Sequence, residues 1–509
     1  MAWVLLKLIG LFTSLFFFQR WGTAESPVGH QLGWMVVLAP VVGGLIIGLM
    51  ARFGSDRIRG HGIPEALESI LIRGSRVEPK LAVLKPLSAA ISIGSGGPFG
   101  AEGPIIMTGG AFGSLIAQSF HLTSAERKTL LVAGAAGGMA ATFGTPLAAT
   151  LLAVELLLFE WKPRSLIPVA LAAAAAMAAR QISFEATPLF PVPGHASVFG
   201  ASVLLAAAAC GLAAGLLSVA MTRSVYFFED LFQRIPVHWM WWPALGGLVI
   251  GLGGLIEPRA LGVGYDSIAA LLSDQMPVRA ILVLVLVKWL IWSFALGSGT
   301  SGGVLAPLLM IGGALGALAG HVLPFEGAGF WALISMGAML GGTMRSPLTG
   351  ILFAAEVTHE FDALLPLTVA CVVAHGFSVL VLKRSILTEK VARRGYHITR
   401  EYGIDPLEVL FVRDVVELPS TPTPPPPHSR PLAAELTARL DDSLRAVTYR
   451  MASAGIIMLP IVDEHGCFLG EVTLEDVLKA RRRHLEQETR RERVIPVHEL
   501  IPQFLRWRS

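Results

Sequence analysis

Long apolar stretches, separated by short breaks rich in glycine and proline, fill the first 380 or so residues of the chain. A first run covers Leu8–Phe18 and a second covers Leu32–Met50. Others follow near residues 81–96, 104–120, 129–159, 166–179, 197–221, 239–256, 279–297, 304–323, 329–343, 346–358 and 363–382. Several are shorter than the ~20 residues that a helix needs to cross a bilayer. The pattern predicts a membrane protein of many helices, some of them broken or re-entrant.

These breaks are informative because irregular backbone at membrane depth survives only where it is packed in protein or lines an aqueous cavity. They therefore indicate a channel or transporter core rather than a simple anchor. Basic residues cluster in the segment 52–80, which we interpret as a loop, and again between Lys383 and Arg394. Since Lys and Arg are enriched in cytoplasmic loops, both segments are predicted to be cytoplasmic.

Composition narrows the class of protein. Of the 509 residues, 53% are hydrophobic and only 15% are charged, against about 25% charged in soluble domains. A cytosolic enzyme, a nucleic-acid binder and a disordered scaffold are excluded. The formal charge of +3 is too balanced to indicate a polyanionic partner. Three widely spaced cysteines indicate neither zinc nor a disulfide framework. No nucleophile or metal-ligand cluster predicts an enzyme, because His359-Glu360 lacks a second histidine at the spacing of zinc proteases.

An internal duplication divides the apolar region. Gly94–Gly113 aligns without gaps on Gly297–Gly316, and Thr145-Pro-Leu is echoed by Ser346-Pro-Leu. Repeats with glycine- and proline-interrupted segments at corresponding places predict a transport site at the midplane between two halves. A role of these glycines in helix packing alone is the alternative.

Both copies contain a glycine-rich turn that leads into a helix, at Gly100–Pro104 and at Gly303–Pro307. A glycine-rich turn exposes backbone N–H groups, and a proline stands at the start of the next helix, where its missing N–H is no loss. The helix N-terminus adds about half a positive charge. Two such loops are predicted to hold an anion at the centre of the bilayer without a buried cation.

Glu102 breaks the symmetry, because its counterpart is Leu305. Charge complementation of a helix start is one interpretation of this carboxylate. Ionisable groups inside a membrane are costly and usually functional, which favours a second interpretation. In this interpretation the carboxylate occupies the anion site itself and vacates it when it is protonated or displaced. Glu102 would then act as a gate and as a proton acceptor.

Three motifs resemble signatures of the CLC family of chloride channels and chloride/proton exchangers. Gly60-His-Gly-Ile-Pro64 is similar to Gly-Ser-Gly-Ile-Pro, Gly100-Ala-Glu-Gly-Pro104 to Gly-Arg/Lys-Glu-Gly-Pro, and Gly303-Val-Leu-Ala-Pro307 to Gly-Ile-Phe-Ala-Pro. The resemblance covers residues ~30–395. It implies an all-α membrane fold, an inverted repeat of tilted and re-entrant helices, and a homodimer with a separate anion pathway in each subunit.

The resemblance also implies roles for single residues. Glu102 is the external gating glutamate, the N–H groups of Val304 and Leu305 bind the central anion, and Lys85 supports the pore electrostatically. Chloride is the expected permeant ion, and no cofactor is required. The residues implied to contact the anion are His61, Gly62, Ile63, Gly100, Gly103, Val304, Leu305 and Leu387.

The end of the chain is different in character. A Pro-rich linker covers residues 419–432. The charged segment after it is predicted to form a helix (433–455), a strand (456–462), a turn (464–466), a second strand (467–472) and a second helix (473–491). It resembles a single CBS motif, a small α/β unit, in which Thr473 and Asp476 fit the ribose-contacting pattern. The resemblance implies a possible adenine-nucleotide site in a cytoplasmic domain.

Together these features predict five segments along the chain. These are an N-terminal interfacial or first membrane helix (1–30), a first membrane repeat (31–182), a second membrane repeat (195–395), a connector with the linker (396–431) and the CBS-like domain (432–509). The expected location is a bacterial inner membrane.

Departures from the family pattern decide the expected mechanism. His61 stands where the family has the serine that contacts the anion. Its imidazole either donates to the anion in a pH-dependent way or caps the helix that starts near Pro64. Leu387 stands where the family has the tyrosine of the inner gate, and Leu156 stands where it has the internal glutamate that relays protons. Glu155 points about 100° away from that position on a helix and is no substitute.

We therefore expect a chloride channel, passive or weakly coupled, gated by Glu102 and sensitive to pH. A chloride/proton exchanger with an unconventional inner proton route is the alternative. A membrane-anchored nucleotide sensor is the third hypothesis, which the duplicated core disfavours. Ala101, where the signature has a basic residue, weakens the external positive field, and Lys288 is expected to snorkel or to pack.

Overall fold

A computed structural model of the chain describes all residues except 24–25, 73, 121, 184–187, 193–198, 395–406, 408–409, 417–435, 464–466 and 492–509. The chain forms two compact units, residues 1–399 and 400–509. The predicted Pro-rich linker and the 464–466 turn lie outside the described residues.

The described part of the first unit is helical. Its helices are α1 (Ala2–Thr13), α2 (Leu38–Phe53), α3 (Ile63–Ile72), α4 (Pro79–Gly94), α5 (Glu102–Gln118), α6 (Ser124–Phe143), α7 (Pro146–Leu152), α8 (Pro163–Ser183), α9 (Ala201–Arg234), α10 (Trp242–Ile256), α11 (Tyr265–Leu272), α12 (Val278–Gly297), α13 (Leu305–Gly320), α14 (Ala328–Met344), α15 (Pro347–Thr358), α16 (Leu364–Val381) and α17 (Ile386–Arg393).

Six segments of the described chain are long and apolar enough to cross a membrane, and each contains one of α2, α8, α9, α10, α12 and α16. Several others, including α13, α14 and α15, are apolar but shorter. A multi-pass membrane protein that mixes full-length with short helices is therefore confirmed.

Glycine and proline set the helix boundaries, as the sequence predicts. The apolar stretch 129–159 is divided into α6 and α7, because Gly144 ends α6 with a left-handed backbone (φ 73°) and Pro146 begins α7. Residues Ala153–Leu158 continue α7 as a turn of π-helix. Proline occupies the first helical position in α15 as well.

The sequence duplication is repeated in the packing. Helix α5 packs on α6 as α13 packs on α14, while α2 contacts α10 and α7 contacts α15 across the two halves. The segments that precede α5 and α13 carry the duplicated glycine-rich loops, so the two loops approach each other between the halves.

Two expectations about the first unit need correction. The segment 52–80 is not a loop throughout, because it contains α3, which packs against α5 and α17. At ten residues this helix is too short to register as a membrane span. Helix α11 was not predicted, since it has only eight residues. The N-terminal helix α1 packs along α4.

The second unit contains helix α18 (Leu444–Ala454), strands β1 (Met458–Val462) and β2 (Phe468–Thr473), and helix α19 (Leu474–Arg491). The strands pair antiparallel, with Met458 opposite Thr473 and Ile461 opposite Gly470. Leu459 and Ile461 of β1 pack against Val447 of α18 in the buried core.

The helix predicted at 433–455 is too long at its start. Helix α18 begins only at Leu444, because the Ser443 side chain accepts a hydrogen bond from the Ala446 N–H (3.3 Å) as an N-cap. Ala438, inside the predicted helix, instead forms a bridge to Ile461 of β1.

Candidate functional site

Three loops meet at the junction of the two repeats. Gly60 donates its N–H to the Thr300 carbonyl (3.2 Å), and its own carbonyl accepts from the Gly302 N–H (3.4 Å). Gly100 and Gly303 exchange two backbone hydrogen bonds, of 3.2 and 2.8 Å. The loops that carry the three sequence motifs are therefore joined by backbone hydrogen bonds.

The contacts between these loops leave no room for side chains. A Cβ atom at Gly103 would lie 1.7 Å from the His61 carbonyl oxygen. A Cβ atom at Gly100 would lie 1.7 Å from Oε2 of Glu102. Both distances are far below van der Waals contact, so glycine at these positions lets the loops and the carboxylate approach each other.

Glu102 is fully buried at the first position of α5. Its Oε1 accepts a hydrogen bond from the backbone N–H of Ala306 (3.1 Å), which belongs to the first turn of α13 in the other repeat. Its Oε2 is buried and has no hydrogen-bond partner. The carboxylate thus lies at the N-terminus of α13, where unpaired N–H groups and the helix dipole favour a negative charge.

Lys85 supports the first of the three loops. Its ammonium group is completely buried and donates hydrogen bonds to the carbonyls of Ile58 and Gly60, both at 2.8 Å. Ser88, on the same helix, contacts the Ser301 hydroxyl at 3.1 Å. The lysine therefore fixes the backbone that leads into His61.

Lys288, which the sequence analysis expects to snorkel or to pack, has the same arrangement as Lys85 in the second repeat, an equivalence that the sequence analysis missed. Its side chain does not snorkel: it is completely buried, and its Nζ donates to the carbonyls of Ala260 and Gly262, both at 2.9 Å. It also interacts electrostatically with Glu102. The available signal was its separation of 203 residues from Lys85, which equals that between Gly94 and Gly297.

His61 lies at the end of the Lys85-supported loop with only 3% of its surface exposed. Its Nδ1 is buried and has no hydrogen-bond partner. The alternative in which His61 caps α3 is not what the structure has, because Oε2 of Glu65 accepts the Gly62 N–H at 2.8 Å and provides that cap. The N–H of Gly62 is therefore engaged within its own loop, and Ile63 begins α3.

A cluster of charged side chains lies on the far side of this loop. A Cβ at Gly60 would lie 2.9 Å from Lys390 Nζ and 3.0 Å from Oε1 of Glu65. Arg394 pairs with Glu65 (3.5 Å) and with Glu68. These contacts bring the two predicted cytoplasmic segments to the same face of the first unit.

Leu387 is completely buried at the second position of α17. The carbonyl of its neighbour Ile386 accepts a hydrogen bond from the hydroxyl of Tyr226 on α9. A tyrosine hydroxyl is thus present next to position 387, supplied by another helix and engaged by backbone.

Glu155 has a structural function that its position in the sequence does not reveal. Its carboxylate accepts the N–H groups of Leu348 (3.2 Å) and Thr349 (2.8 Å) and the hydroxyl of Thr349 (2.6 Å). It therefore caps the N-terminus of α15. Leu156, the next residue, is buried and places an apolar side chain where the family pattern has the internal glutamate.

Glu356 repeats this contact in the opposite direction. It accepts the N–H groups of Leu147 (3.0 Å) and Ala148 (2.8 Å), in the first turn of α7. Helices α7 and α15 are thus capped reciprocally, each by a glutamate that follows or belongs to the other. The pair joins the two repeats.

Tyr265, the first residue of α11, is a residue that the sequence analysis did not name. Its hydroxyl is buried without a hydrogen-bond partner, and its ring contacts those of Phe143 and Phe190, with centroids 6.4 and 5.7 Å away. It interacts electrostatically with Glu102. No pattern in the sequence pointed to it.

In the second unit, Thr473 and Asp476 contact each other. Asp476 Oδ2 accepts from the Thr473 N–H (3.0 Å) and hydroxyl (2.7 Å), while the Asp476 N–H donates to the Thr473 hydroxyl oxygen (3.3 Å). This reciprocal pair caps α19. Capping alone accounts for the Thr-x-x-Asp spacing, and a CBS domain is not established by it.

A family model described as voltage gated chloride channel matches residues 43–379. This match covers well over half of the chain. The chain belongs to the CLC family.

CLC relatives include the H(+)/Cl(-) exchange transporter ClcA of Klebsiella pneumoniae, 30% identical over 69% of this chain and 78% of the relative. A putative chloride channel protein ClcB-like from Ralstonia nicotianae is 29% identical over 71% and 86% of the two chains. A slow cyanobacterial Cl-/H+ antiporter of known structure is similar in fold, with a TM-score of 0.67 and 22% identity over 77% of this chain and 92% of that one.

The expectation of a passive or weakly coupled channel is wrong. The ClcA relatives of Klebsiella pneumoniae and of Citrobacter koseri, the latter 32% identical over 61% of this chain and 68% of the relative, are named exchange transporters. The channel expectation depended on departures from the family pattern, above all on Leu156. One missing carboxylate does not outweigh relatives of this similarity.

Proposed function

We propose that this protein exchanges chloride for protons across the membrane, with Glu102 as both the gate of the anion pathway and the proton acceptor. The observation that carries the proposal is the hydrogen bond from the Ala306 N–H to Glu102. A carboxylate at this helix N-terminus occupies the place that suits a permeant anion, so the two exclude each other. Protonation removes the charge and lets chloride replace it.

The exchanger relatives support coupling, and the loop contacts support the anion site. In the proposed occupied state, chloride takes the position of the Glu102 carboxylate beside the N–H groups of Val304 and Leu305. The loops 60–63 and 100–103 and the side chain of Leu387 line its path, and Lys85 supplies a fixed positive charge. Because dipoles and a carbonyl-bound lysine replace a direct ion pair, the anion is held weakly enough to leave.

Purified protein in liposomes with an outward chloride gradient tests this function. The unaltered chain should drive protons uphill into the liposomes as chloride leaves, in a fixed ratio. Glu102→Gln cannot release or accept this proton, so chloride should move without protons and without a response to external pH. Chloride efflux from the unaltered protein with no proton movement would contradict exchange.

We further propose a homodimer in a bacterial inner membrane, with the C-terminal unit in the cytoplasm. The CLC resemblance supports the dimer, and the basic residues near Lys383 support the orientation. Subunit counting by single-molecule photobleaching in liposomes tests the first. Cys467 is exposed whereas Cys210 and Cys371 are buried, so an impermeant maleimide should label spheroplasts only after permeabilisation.

The CBS-like unit is proposed to bind an adenine nucleotide through Thr473 and Asp476. Their place at the junction of β2 and α19 supports this, because a ribose hydroxyl could exchange with their mutual hydrogen bonds. Calorimetry of the full chain with ATP or AMP should show saturable heat that Asp476→Ala abolishes. Absence of heat would leave the pair as a helix cap only.

A further inference from the structure

Helix α2 ends beside the start of α10. A Cβ atom at Gly48, within the last two turns of α2, would lie 2.0 Å from the carbonyl oxygen of Met240, just before α10. Both helices belong to segments that are long and apolar enough to cross a membrane, Gly33–Phe53 and Trp239–Ile256. The end of the first segment and the start of the second therefore lie together at one surface of the membrane, at the depth of the lipid headgroups.

Two basic side chains contact each other at this place. Nη1 of Arg52, in the last turn of α2, lies 3.5 Å from Nε2 of His238, and both residues are exposed. The other ring nitrogen of His238, Nδ1, accepts a hydrogen bond from the Met240 N–H (3.3 Å). Nε2 therefore carries the hydrogen of the neutral ring, and a charged ring carries one there as well. Since a guanidinium has no acceptor, Arg52 and His238 place two donors side by side that cannot satisfy each other.

A third basic side chain lies next to this pair. The guanidinium of Arg59 lies over the rings of Trp239 and Trp242, 4.8 and 5.7 Å from their centroids. The ring of His238 contacts Trp239 as well, with centroids 5.2 Å apart. Arg52, His238 and Arg59 thus form one basic cluster, in which the rings fix the position of the Arg59 charge.

This basic cluster is not neutralised by carboxylates of the described chain. Asp56 and Glu229 interact electrostatically with Arg59, and Arg394 opposes them. Neither Arg52 nor Arg59 forms an ion pair with a carboxylate in the part of the chain that the structure describes. An anionic group from outside the chain would supply the acceptor that the two adjacent donors lack.

The helices that carry the basic cluster expose apolar side chains to the membrane. Large hydrophobic residues are exposed on both helices: Leu49 on α2, and Leu245, Leu248 and Leu252 on α10. Trp241 is exposed immediately before α10, and tryptophan is enriched at the interface between membrane and water. A ligand that matches this surface combines an anionic head with apolar chains.

We propose that this surface binds one anionic phospholipid, whose phosphate accepts hydrogen bonds from Arg52 and from Nε2 of His238 while its acyl chains lie along α2 and α10. Arginine suits phosphate because its planar fork presents several N–H groups to the oxygens. Arg59 adds positive charge beside Trp239, which favours a headgroup of net negative charge over a zwitterionic one. Lipid binding at this place does not depend on whether chloride is exchanged for protons.

Native mass spectrometry of the full chain in detergent measures this preference. Phosphatidylglycerol and phosphatidylcholine with identical acyl chains are supplied in equal amounts, and the ratio of the two bound lipids is determined. The unaltered protein should retain more phosphatidylglycerol. Arg52→Gln should lower this ratio about fivefold, whereas Arg52→Lys keeps the charge and should stay within about twofold. The double variant Arg52→Gln/His238→Phe should lower it further, because it removes both donors.

Lys80→Gln is the matched control, since it removes one positive charge from an exposed position at the start of α4 and should leave the ratio unchanged. Inorganic phosphate in excess should not displace phosphatidylglycerol, because it lacks the acyl chains. Equal retention of the two lipids, or an equal loss in the Lys80 and Arg52 variants, would overturn the lipid site. Displacement by inorganic phosphate would overturn it as well and assign the basic cluster to a free phosphate ion.

Discussion

Removal of the reciprocal caps between α7 and α15 should destabilise the membrane unit in a predictable order. Glu155 accepts three hydrogen bonds and Glu356 accepts two. Hydrogen bonds between membrane helices contribute about 0.6 kcal/mol on average and up to about 1.7. We therefore expect Glu155→Ala to cost about 2–5 kcal/mol and Glu356→Ala about 1–3.

The glutamine variants separate shape from charge. A glutamine amide retains one acceptor oxygen but loses the charge that complements the helix N-terminus, so Glu155→Gln should be intermediate. In the double alanine variant the cost should be less than additive, because both changes loosen the same α7–α15 contact.

Thermal unfolding of the full chain in detergent, followed by the fluorescence of its 11 tryptophans, measures this order. Glu78→Gln is the control, since its half-exposed carboxylate makes one ion pair, with Arg57 at 3.0 Å, and such a pair contributes about 0–1 kcal/mol. If Glu155→Ala unfolds at the same temperature as this control, the capping argument is refuted.

Three further predictions concern single contacts. Gly103→Ala places a methyl group 1.7 Å from a backbone carbonyl oxygen, whereas the methyl group of Gly313→Ala meets its nearest atoms at 3.9 Å. Only Gly103→Ala should abolish folded, transport-competent protein in size-exclusion and flux assays. Equal behaviour of the two variants would contradict the argument from close packing. Lys288→Met leaves two buried carbonyls without a donor and should lower the free energy of unfolding by about 1–3 kcal/mol, together with the chloride flux. An unchanged thermal midpoint would count against it. Thr473→Ala removes a cap worth about 0.5–2 kcal/mol and should speed proteolysis of the C-terminal unit, relative to the exposed control Glu471→Ala.

The loops around Glu102 were predictable because their signals are local. A glycine-rich turn followed by a proline defines the start of a helix from a few adjacent residues, and the duplication adds that two such starts face each other. The order of β1, β2 and α19 was predictable for a similar reason, since alternating apolar residues and a turn lie within one short segment.

What the sequence did not reveal depends on pairs far apart in the chain. The cap that Glu155 forms is visible only when α15 lies antiparallel beside α7, and a single glutamate in an apolar run does not predict its partner. The same holds for Lys288, whose ammonium group finds two carbonyls in the turn before α11. Both residues have equivalents in the other repeat, so comparison of the repeats at every polar position would have identified them.

That comparison also separates scaffold from chemistry. Each repeat contributes one buried lysine and one capping glutamate, and the two members of each pair make equivalent contacts: Lys85 with Lys288, and Glu155 with Glu356. Symmetric contacts can stabilise the junction, but they give no direction to a proton. Glu102 and His61 have the apolar counterparts Leu305 and Val263. The carboxylate at the junction, Glu102, therefore comes from the first repeat alone, whereas the backbone that surrounds it comes from both repeats.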